Sequence, residues 1–179
     1  MLLKKIIKNL PIKILNINIE GLSLDSRKIK RNYLFFAVRG AEFNGEKYIS
    51  NAINKGAKAV VCSLKCKIKN NKVPIIKVKN VSEILTYACK TFYPKKPSNI
   101  IAVTGTNGKS SVTEFYHQIL TNLKIPVASI GTLGIKIIKK ITKTNLTTID
   151  VISLHRELSK IKKKGINHVI LEASSHGLL

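Results

Sequence analysis

A short segment near the middle of the chain combines the residue types that bind a phosphate group. Residues 100–111 join an apolar run to a glycine-rich turn that ends in Lys109 and Ser110. Gly105 and Gly108 let the backbone turn tightly and approach an anion without a side-chain clash. Backbone N–H groups at the start of a following helix would face the phosphates, where the helix dipole favours negative charge. Lys109 would add a charge for the β- and γ-phosphates, and the Ser110 hydroxyl would bind magnesium.

The spacing of this loop differs from the usual phosphate-binding pattern. The pattern G-x-x-x-x-G-K-[S/T] requires glycine at position 103, which is Val103 here. The loop Thr-Gly-Thr-Asn-Gly-Lys-Ser is therefore a compact variant, and an ordinary strand-to-helix turn is the alternative. The flanking elements favour the phosphate site, because an apolar strand precedes the loop and apolar residues recur after it at helical spacing. Those residues are Val112, Phe115, Tyr116, Ile119, Leu120 and Leu123.

A magnesium site needs a carboxylate as well as the loop hydroxyl. After Lys109 the chain carries Glu114, Asp150, Glu157 and Glu172 as its acidic residues. The first three fall in predicted helices or at a helix cap. Glu172 directly follows an apolar strand, at the edge of the sheet where the loop must lie. We therefore predict that Glu172 binds the metal, directly or through water; a surface glutamate at a strand end is the alternative.

Other polar residues are weaker candidates for a functional site. Ser174, Ser175 and His176 lack the Gly-x-Ser-x-Gly setting of a hydrolase nucleophile, which disfavours hydrolase chemistry. Thr147 and Thr148 precede a predicted helix and either cap it or bind a ligand. The segment 25–27 (Asp-Ser-Arg) lies between extended stretches, as a plain turn or as part of a polar pocket.

The elements that position these residues alternate between strands and helices, which predicts an α/β protein with parallel sheets. In such sheets ligands bind at the carboxyl ends of the strands. In the first segment the predicted strands are 14–19, 33–38, 59–62 and 74–78, and the predicted helices are 46–55 and 81–92. In the second segment they are strands 100–103, 127–130 and 168–171, an extended stretch 134–138, and helices 109–123 and 150–163, the last capped by Asp150.

The stiff polar break at residues 94–97 (Pro-Lys-Lys-Pro) predicts two domains, 1–94 and 95–179. The first is a small α/β domain, and the second is the beginning of a P-loop-type ATPase domain. A parallel sheet of two or three strands cannot bury both of its faces. We therefore expect the second domain to be truncated within this chain.

The net charge of +23 raises the possibility of nucleic-acid binding. However, the cations are 28 Lys against 4 Arg, spread along the whole chain, whereas recognition of phosphates and bases favours Arg. We therefore expect no specific nucleic-acid partner. No apolar run is long enough to cross a membrane, and no signal peptide is evident, so we expect a cytoplasmic protein without membrane insertion. Cys62 and Cys89 are interpreted as core residues.

Six motifs in order resemble the Mur ligase family, the ATP-dependent amide-forming enzymes of peptidoglycan synthesis. The nucleotide loop Gly-Thr-Asn-Gly-Lys-Ser stands at 105–110, and an Asp-Ser-Arg motif stands at 25–27. An apolar strand ending in glycine and a Gly-x-x-Tyr-Ile helix start follow at 35–40 and 45–49. The remaining motifs are a Thr-Thr pair at 147–148 and Glu-x-Ser-Ser-His-Gly-Leu at 172–178. The resemblance covers nearly the whole chain and is strongest to the member that adds the third residue of the stem peptide.

The resemblance implies a role for each of these motifs. Residues that would contact the UDP-sugar dipeptide are Leu24, Ser26, Ala41, Glu42, Phe43, Thr147, Thr148 and Ser174. Residues that would bind ATP are Gly105, Thr106, Asn107, Gly108, Lys109, Ser110 and Ser111, with Lys109 in the catalytic role. Ser110 and Glu172 would hold Mg²⁺. Leu146 and Ile149 depart from the Asn and Pro that often flank the Thr pair, so one substrate contact is in question.

The implied reaction is phosphoryl transfer followed by aminolysis. The γ-phosphate of ATP moves to the D-glutamate carboxylate of UDP-N-acetylmuramoyl-L-alanyl-D-glutamate, and the amine of diaminopimelate or L-lysine then displaces phosphate from the acyl phosphate. We expect a monomer, and the short chain by itself is expected to be inactive. Alternatives are a folylpolyglutamate synthase, which the Asp-Ser-Arg domain disfavours, a fragment that binds UDP-sugar without catalysis, and a basic protein that binds RNA or an acidic membrane.

Overall fold

The structure, a computed structural model, describes residues 1–7, 11–40, 43–137, 140–142 and 149–173. Its chain divides into two units, Met1–Phe92 and Tyr93–Leu179. Each unit has its own sheet and its own buried apolar cluster.

A parallel sheet with strand order β1-β2-β3-β4 forms the centre of the first unit. Its middle strands read as continuous apolar runs, and Phe35, Ala37, Val60 and Cys62 in and beside them are fully buried, as expected for parallel strands that are covered on both faces. The strands are β1 (Gly21–Ser23), β2 (Tyr33–Phe36), β3 (Ala57–Ser63) and β4 (Ile75–Val78). The helices are α1 (Leu3–Ile6), α2 (Ile49–Asn54) and α3 (Val81–Phe92), with 3-10 turns at Ile12–Ile14, Ser26–Lys28 and Gly45–Tyr48.

The predicted strand at residues 14–19 is wrong. This segment folds back on the N-terminus instead: the Met1 ammonium donates to the Ile19 carbonyl over 2.7 Å, and the Leu3 N–H donates to the Ile17 carbonyl over 2.8 Å. The backbone is thus bonded locally, and Ile19 is buried without joining the sheet. The predicted helix at 46–55 forms in two parts, the 3-10 turn and then α2.

The second unit has a five-stranded sheet with the order β5-β9-β6-β7-β8. Strands β5, β9 and β6 are parallel, which confirms that part of the prediction, whereas β7 and β8 are antiparallel. Only Thr132 and Leu133 separate β6 from β7, and so short a connection cannot make a parallel crossover. The elements are β5 (Asn99–Val103), α4 (Lys109–Asn122), β6 (Val127–Gly131), β7 (Gly134–Ile137), β8 (Lys140–Thr142), α5 (Val151–Lys163) and β9 (His168–Glu172).

Helix α5 packs its apolar face on this sheet. Leu158 and Ile161 join a buried cluster with Ile130 and Val169. The Asp150 side chain accepts a hydrogen bond from the Ser153 N–H over 3.0 Å, so the predicted helix cap is confirmed.

Helix α4 forms as predicted, but much of its apolar stripe is exposed, and only Tyr116 and Leu120 of that stripe are partly buried. Thr113 and His117 are the buried positions of this helix. The exposed fractions of the apolar stripe are Val112 50%, Phe115 61%, Ile119 57% and Leu123 62%. The outer strand β5 is also open, with Ile100 and Ile101 about two-fifths exposed.

The cysteines Cys62, Cys66 and Cys89 are free and buried. Burial is the main cause that raises the pKa of Cys62 to about 12, so this group stays a neutral thiol. Of the helices that the structure describes, none has the length and apolar character needed to cross a membrane.

Candidate nucleotide and metal site

The predicted phosphate loop is an exposed turn between β5 and α4. Gly105 and Gly108 both have positive φ, +147° and +79°, a conformation that side chains other than glycine rarely adopt. Gly108 is the N-cap of α4, and it has no side chain to satisfy the first N–H groups of the helix. The sequence predicts that an anion binds to these N–H groups.

Lys109 bends back over the loop. Its ammonium donates to the carbonyl oxygens of Gly105 and Thr106 over 2.6 and 3.2 Å. The positive charge thus lies against the carbonyl oxygens of the turn.

Glu172 ends β9, the strand next to β5. It pairs with Val103 in the sheet register, and the Ala173 N–H donates to the Val103 carbonyl over 2.9 Å. Since the phosphate loop begins directly after Val103, Glu172 lies beside the base of that loop. The strand register thus agrees with the predicted position of Glu172 at the loop edge of the sheet.

The carboxylate of Glu172 is held by hydrogen bonds at the end of β6. Its Oε2 accepts from the Thr132 hydroxyl over 2.8 Å and from the Thr132 N–H over 3.3 Å. Gly131 leaves the room for it, because a Cβ at that position would lie 2.5 Å from Cδ of Glu172. The side chain is thus directed by β6 and not left free in solvent.

A cavity of about 30 Å³ lies between the start of α4, the ends of β6 and β9, and the β6–β7 turn. Ser110 and Glu172 both line it, so the two predicted metal ligands converge there. The full lining is Ser110, Thr113, Glu114, Ser129, Gly131, Leu133, Gly134, Lys136 and Glu172.

The donors in this cavity suit magnesium. Ser110 and Glu172 supply a hydroxyl and a carboxylate oxygen, which are the hard ligands that Mg²⁺ prefers. Within the described residues, no three His, Cys, Asp or Glu side chains form a metal-binding group. A small number of protein ligands is typical for Mg²⁺, which keeps water and takes phosphate oxygens from a nucleotide. The residues present therefore fit this ion.

An ion pair closes the far side of the cavity. Lys136 Nζ donates to Glu114 Oε1 over 2.6 Å, and Gln118 Nε2 donates to the same oxygen over 2.9 Å. The hydrogen bond from Lys136 is the main cause that lowers the pKa of Glu114, so the carboxyl stays ionised. The neighbouring His117 is 1% exposed, and burial is the main cause that lowers its pKa.

The Asp-Ser-Arg segment of the first unit is an internally bonded turn. The Asp25 carboxylate accepts from the Arg27 N–H over 2.9 Å and pairs with the Arg27 guanidinium over 3.0 Å. The guanidinium hydrogen bond is the main cause that lowers the pKa of Asp25. Ser26 is buried at 5% exposure, and Leu24 is half-buried. The turn follows the carboxyl end of β1, the edge at which a parallel sheet binds ligands.

Phe43 lies on the loop after β2, the next strand of that sheet. It is half-exposed and stacks on Tyr48, with ring centroids 5.4 Å apart and planes 9° from parallel. The other residues predicted to contact substrate fall outside the described residues: Ala41, Glu42, Thr147, Thr148 and Ser174.

Sequence reasoning missed several residues in and beside the cavity, among them Thr113, Gly131, Thr132 and Lys136. Gly131 ends an apolar strand as Glu172 does, and Thr132 follows it, so a search of all residues at strand ends would have found both. Thr113 and Lys136 left no such signal, because their place in the cavity depends on how α4 and β7 pack.

The two halves of the chain match two domains of one family. Residues 18–93 match the Mur ligase family catalytic domain, and residues 103–179 match the Mur ligase middle domain. Among curated relatives, the UDP-N-acetylmuramoyl-L-alanyl-D-glutamate–2,6-diaminopimelate ligase of Rickettsia conorii is 42% identical over 165 residues, and that of Brucella melitensis is 37% identical over 162. These alignments cover 90% of this chain but only 34% and 33% of the relatives. The chain thus spans about a third of their length.

Solved structures agree with this. A UDP-N-acetylmuramoyl-L-alanyl-D-glutamate–2,6-diaminopimelate ligase superposes with a TM-score of 0.79 at 28% identity, covering 99% of this chain and 37% of that one. A MurF ligase from Thermotoga maritima in complex with ADP has the same fold, with a TM-score of 0.56 at 22% identity over 89% of this chain and 32% of that one. Three findings agree: the phosphate loop lies beside Glu172, two domains match in family order, and relatives are 37–42% identical. This chain belongs to the Mur ligase family.

Proposed function

We propose that this chain carries the UDP-sugar-binding and ATP-binding portions of a ligase that adds the third amino acid to UDP-N-acetylmuramoyl-L-alanyl-D-glutamate. The names of the relatives specify 2,6-diaminopimelate, and we infer the same amino acid here in preference to L-lysine. Since the chain spans a third of those relatives, we expect it to bind nucleotides by itself but not to complete the reaction.

One observation carries the proposal: Ser110 and Glu172 line one cavity at the base of a glycine-rich loop. This arrangement suits a nucleoside triphosphate, because the loop offers N–H groups to the phosphates and the cavity offers oxygen ligands to the accompanying cation. Ser110 and Glu172 would hold Mg²⁺, and the ion would neutralise charge on the phosphates when bound.

The loop residues have separate tasks in this proposal. The N–H groups of residues 105–111 bind and orient the phosphates, and Lys109 exchanges its two loop carbonyls for phosphate oxygens. Phosphoryl transfer needs little covalent help from a protein, so alignment and charge neutralisation supply most of the rate enhancement. The γ-phosphate would pass to the D-glutamate carboxylate, and the amine would then displace it.

The UDP-sugar would bind at the carboxyl edge of the first sheet. Leu24 and Ser26 lie in the turn after β1, and Phe43 lies on the loop after β2. Ala41 and Glu42 remain proposed contacts. Because Ser26 is mostly buried, it would present only a small surface to the ligand. Thr147, Thr148 and Ser174 remain proposed contacts to the muramoyl peptide. We also propose a cytoplasmic monomer.

Calorimetric titration of the chain with ATP tests the nucleotide site. We expect binding that magnesium strengthens and that Glu172→Gln weakens by at least about tenfold when magnesium is present. In EDTA the variant and the parent protein should bind ATP equally. Glu157→Gln, a glutamate in α5, is the matched control and should bind as the parent does. Equal magnesium dependence in the Glu172→Gln variant would contradict the metal assignment.

A second titration tests the sugar-nucleotide site. UDP-N-acetylmuramoyl-L-alanyl-D-glutamate should raise the melting temperature of the chain, and Ser26→Ala should reduce that shift. Polyuridylate at physiological salt is the comparison ligand, because a chain with a charge of +23 binds polyanions weakly. Stabilisation by polyuridylate and not by the UDP-sugar would favour an RNA-binding protein instead.

A further inference from the structure

Two carboxylates, Glu114 and Glu172, line the cavity at the nucleotide loop, and only one of them is oriented to bind a metal. Glu172 is oriented by Thr132 and Gly131. Glu114 stands on α4 one helical turn after Ser110 and lines the same cavity. An unpaired Glu114 would compete with Glu172 for any cation bound at Ser110, since both offer the same kind of oxygen.

Lys136 forms an ion pair with Glu114. Their contact of 2.6 Å is partly shielded from solvent, with side-chain exposures of 23% for Lys136 and 29% for Glu114. Such a pair is screened less than a surface pair, and the loss of one partner leaves an uncompensated charge behind. By contrast, the Lys160 side chain, which pairs with Glu157 on α5, is 57% exposed. An ion pair of such an exposed side chain contributes little to stability.

The pair also joins the two elements that carry the proposed metal ligands. Glu114 belongs to α4, which begins with Lys109 and Ser110. Lys136 belongs to β7, opposite Ser129 in the register of the β6–β7 hairpin, and that hairpin seats Glu172. The contact therefore couples the position of the Ser110 hydroxyl to the position of the Glu172 carboxylate.

A second observation indicates that the cavity holds a polar ligand. Thr113 Oγ1 is buried and, within the described part of the chain, has no hydrogen-bond partner. A buried hydroxyl of this kind costs free energy unless water or a ligand completes it. The interior beside the Lys136–Glu114 pair is therefore built for polar contents.

We propose that Lys136 is a positioning residue of the magnesium–nucleotide site: it neutralises Glu114, keeps that carboxylate away from the cation, and leaves Glu172 as the carboxylate that receives the metal. This inference rests on the proposed function. It assigns a task to Lys136, which lies 27 residues beyond Lys109 and outside every motif recognised in the sequence.

The test measures magnesium-dependent binding of a fluorescent ADP analogue, mant-ADP, to the full chain. Lys136→Met should weaken binding in magnesium by about tenfold, the size expected for an outer-shell partner of a metal site, and should leave binding in EDTA unchanged. Lys136→Arg keeps the charge and should stay within about threefold of the parent protein. The Glu114→Gln/Lys136→Met double variant removes the competing carboxylate and should recover most of the loss. Lys160→Met is the matched control and should bind as the parent does.

Thermal melts of each variant separate this role from a structural one. A double variant as weak as Lys136→Met, or a loss of equal size in magnesium and in EDTA, would overturn the inference and leave the proposed function standing. A parent protein without magnesium-dependent binding would overturn both. If Lys136→Met does not fold, Lys136→Gln replaces it with the same direction expected for each result, because the amide does not neutralise the charge of Glu114.

Discussion

The carboxylate of Glu172 lies over the bare backbone of Gly131, with only 2.5 Å between its Cδ and the place where a Cβ would stand. Residue 131 therefore cannot gain a methyl group unless Glu172 moves. The end of β6 thus determines where the end of β9 directs its acidic side chain.

Gly131→Ala should displace Glu172 from its seat. We expect magnesium-dependent ATP binding to weaken by about tenfold and the protein to lose roughly 1–3 kcal/mol of stability from the added methyl group. Calorimetry and urea denaturation measure the two effects. Gly165→Ala is the control, because its φ of +80° makes alanine strained but no atom lies within 4 Å of its Cβ. An equal loss of magnesium dependence in both variants would show that general destabilisation, and not Glu172, is responsible.

Thr113→Val should raise the stability of the ligand-free chain. Valine has nearly the same shape and removes the buried hydroxyl that has no partner among the described residues, so a gain of about 1 kcal/mol is expected. Thr113→Ser keeps the hydroxyl and loses a methyl group, and it should lower stability instead. Urea unfolding in the absence of nucleotide gives both values. A loss of stability in Thr113→Val would mean that bound water already satisfies the hydroxyl.

Glu46→Ala should destabilise the first unit. This carboxylate is 6% exposed; its Oε1 accepts from the Ser63 N–H over 3.2 Å and from the Ser63 hydroxyl over 2.7 Å, and its Oε2 pairs with Arg39 over 3.1 Å. Loss of hydrogen bonds to a buried charged group costs about 2 kcal/mol. The control Glu83→Ala, at an exposed position of α3, should change stability by less than about 1 kcal/mol.

The same substitution bears on the loop that begins at Arg39. Glu46 binds both Arg39 and Ser63 at the end of β3. Glu46→Ala should therefore remove the contacts that fix the start of the loop carrying Phe43. Differential scanning fluorimetry with the UDP-sugar dipeptide measures this, and a smaller ligand-induced shift is expected. A shift equal to that of the parent protein would separate the loop from sugar-nucleotide binding.

The stability of the second unit should fall as the pH drops below about 6.5, the usual pKa of histidine. Burial lowers the pKa of His117 in the folded chain, so in this range the unfolded chain binds a proton that the folded chain does not. Linkage then makes stability rise with pH until about 6.5 and stay level above it. The other ionisable groups acting on His117 are Lys136, which lowers its pKa further, and Glu114, which raises it.

Urea midpoints at pH 5 and pH 7 measure this dependence, and His117→Gln should reduce the difference between them. The lowered pKa of Glu114 adds a loss of the same sign, but only at more acidic pH, below about 4.3. An unchanged difference in His117→Gln would assign the pH dependence to other groups.

Much of the local structure could be predicted from the sequence. The loop glycines, the helix start at Lys109 and the Asp150 cap follow from short-range backbone geometry, and the structure contains all three. The prediction failed at residues 14–19, because the backbone there forms hydrogen bonds with the N-terminal segment and not with a strand of the sheet. It was incomplete for α4, where an apolar stripe marks a helix but not the face that packs on the sheet.

The sequence by itself determined the kinds of chemical group at the site: N–H groups freed by glycine, one ammonium, one hydroxyl and one carboxylate at a strand end. The tertiary structure decided which of them meet. Strand β9 is the last strand that the structure describes, yet it lies between β5 and β6, and only that order places Glu172 beside both Val103 and Gly131. Strand order depends on which crossovers bury the sheet, a long-range packing property that residue periodicity does not encode. The Lys136–Glu114 pair has the same origin, since it forms only after a hairpin and a helix pack together.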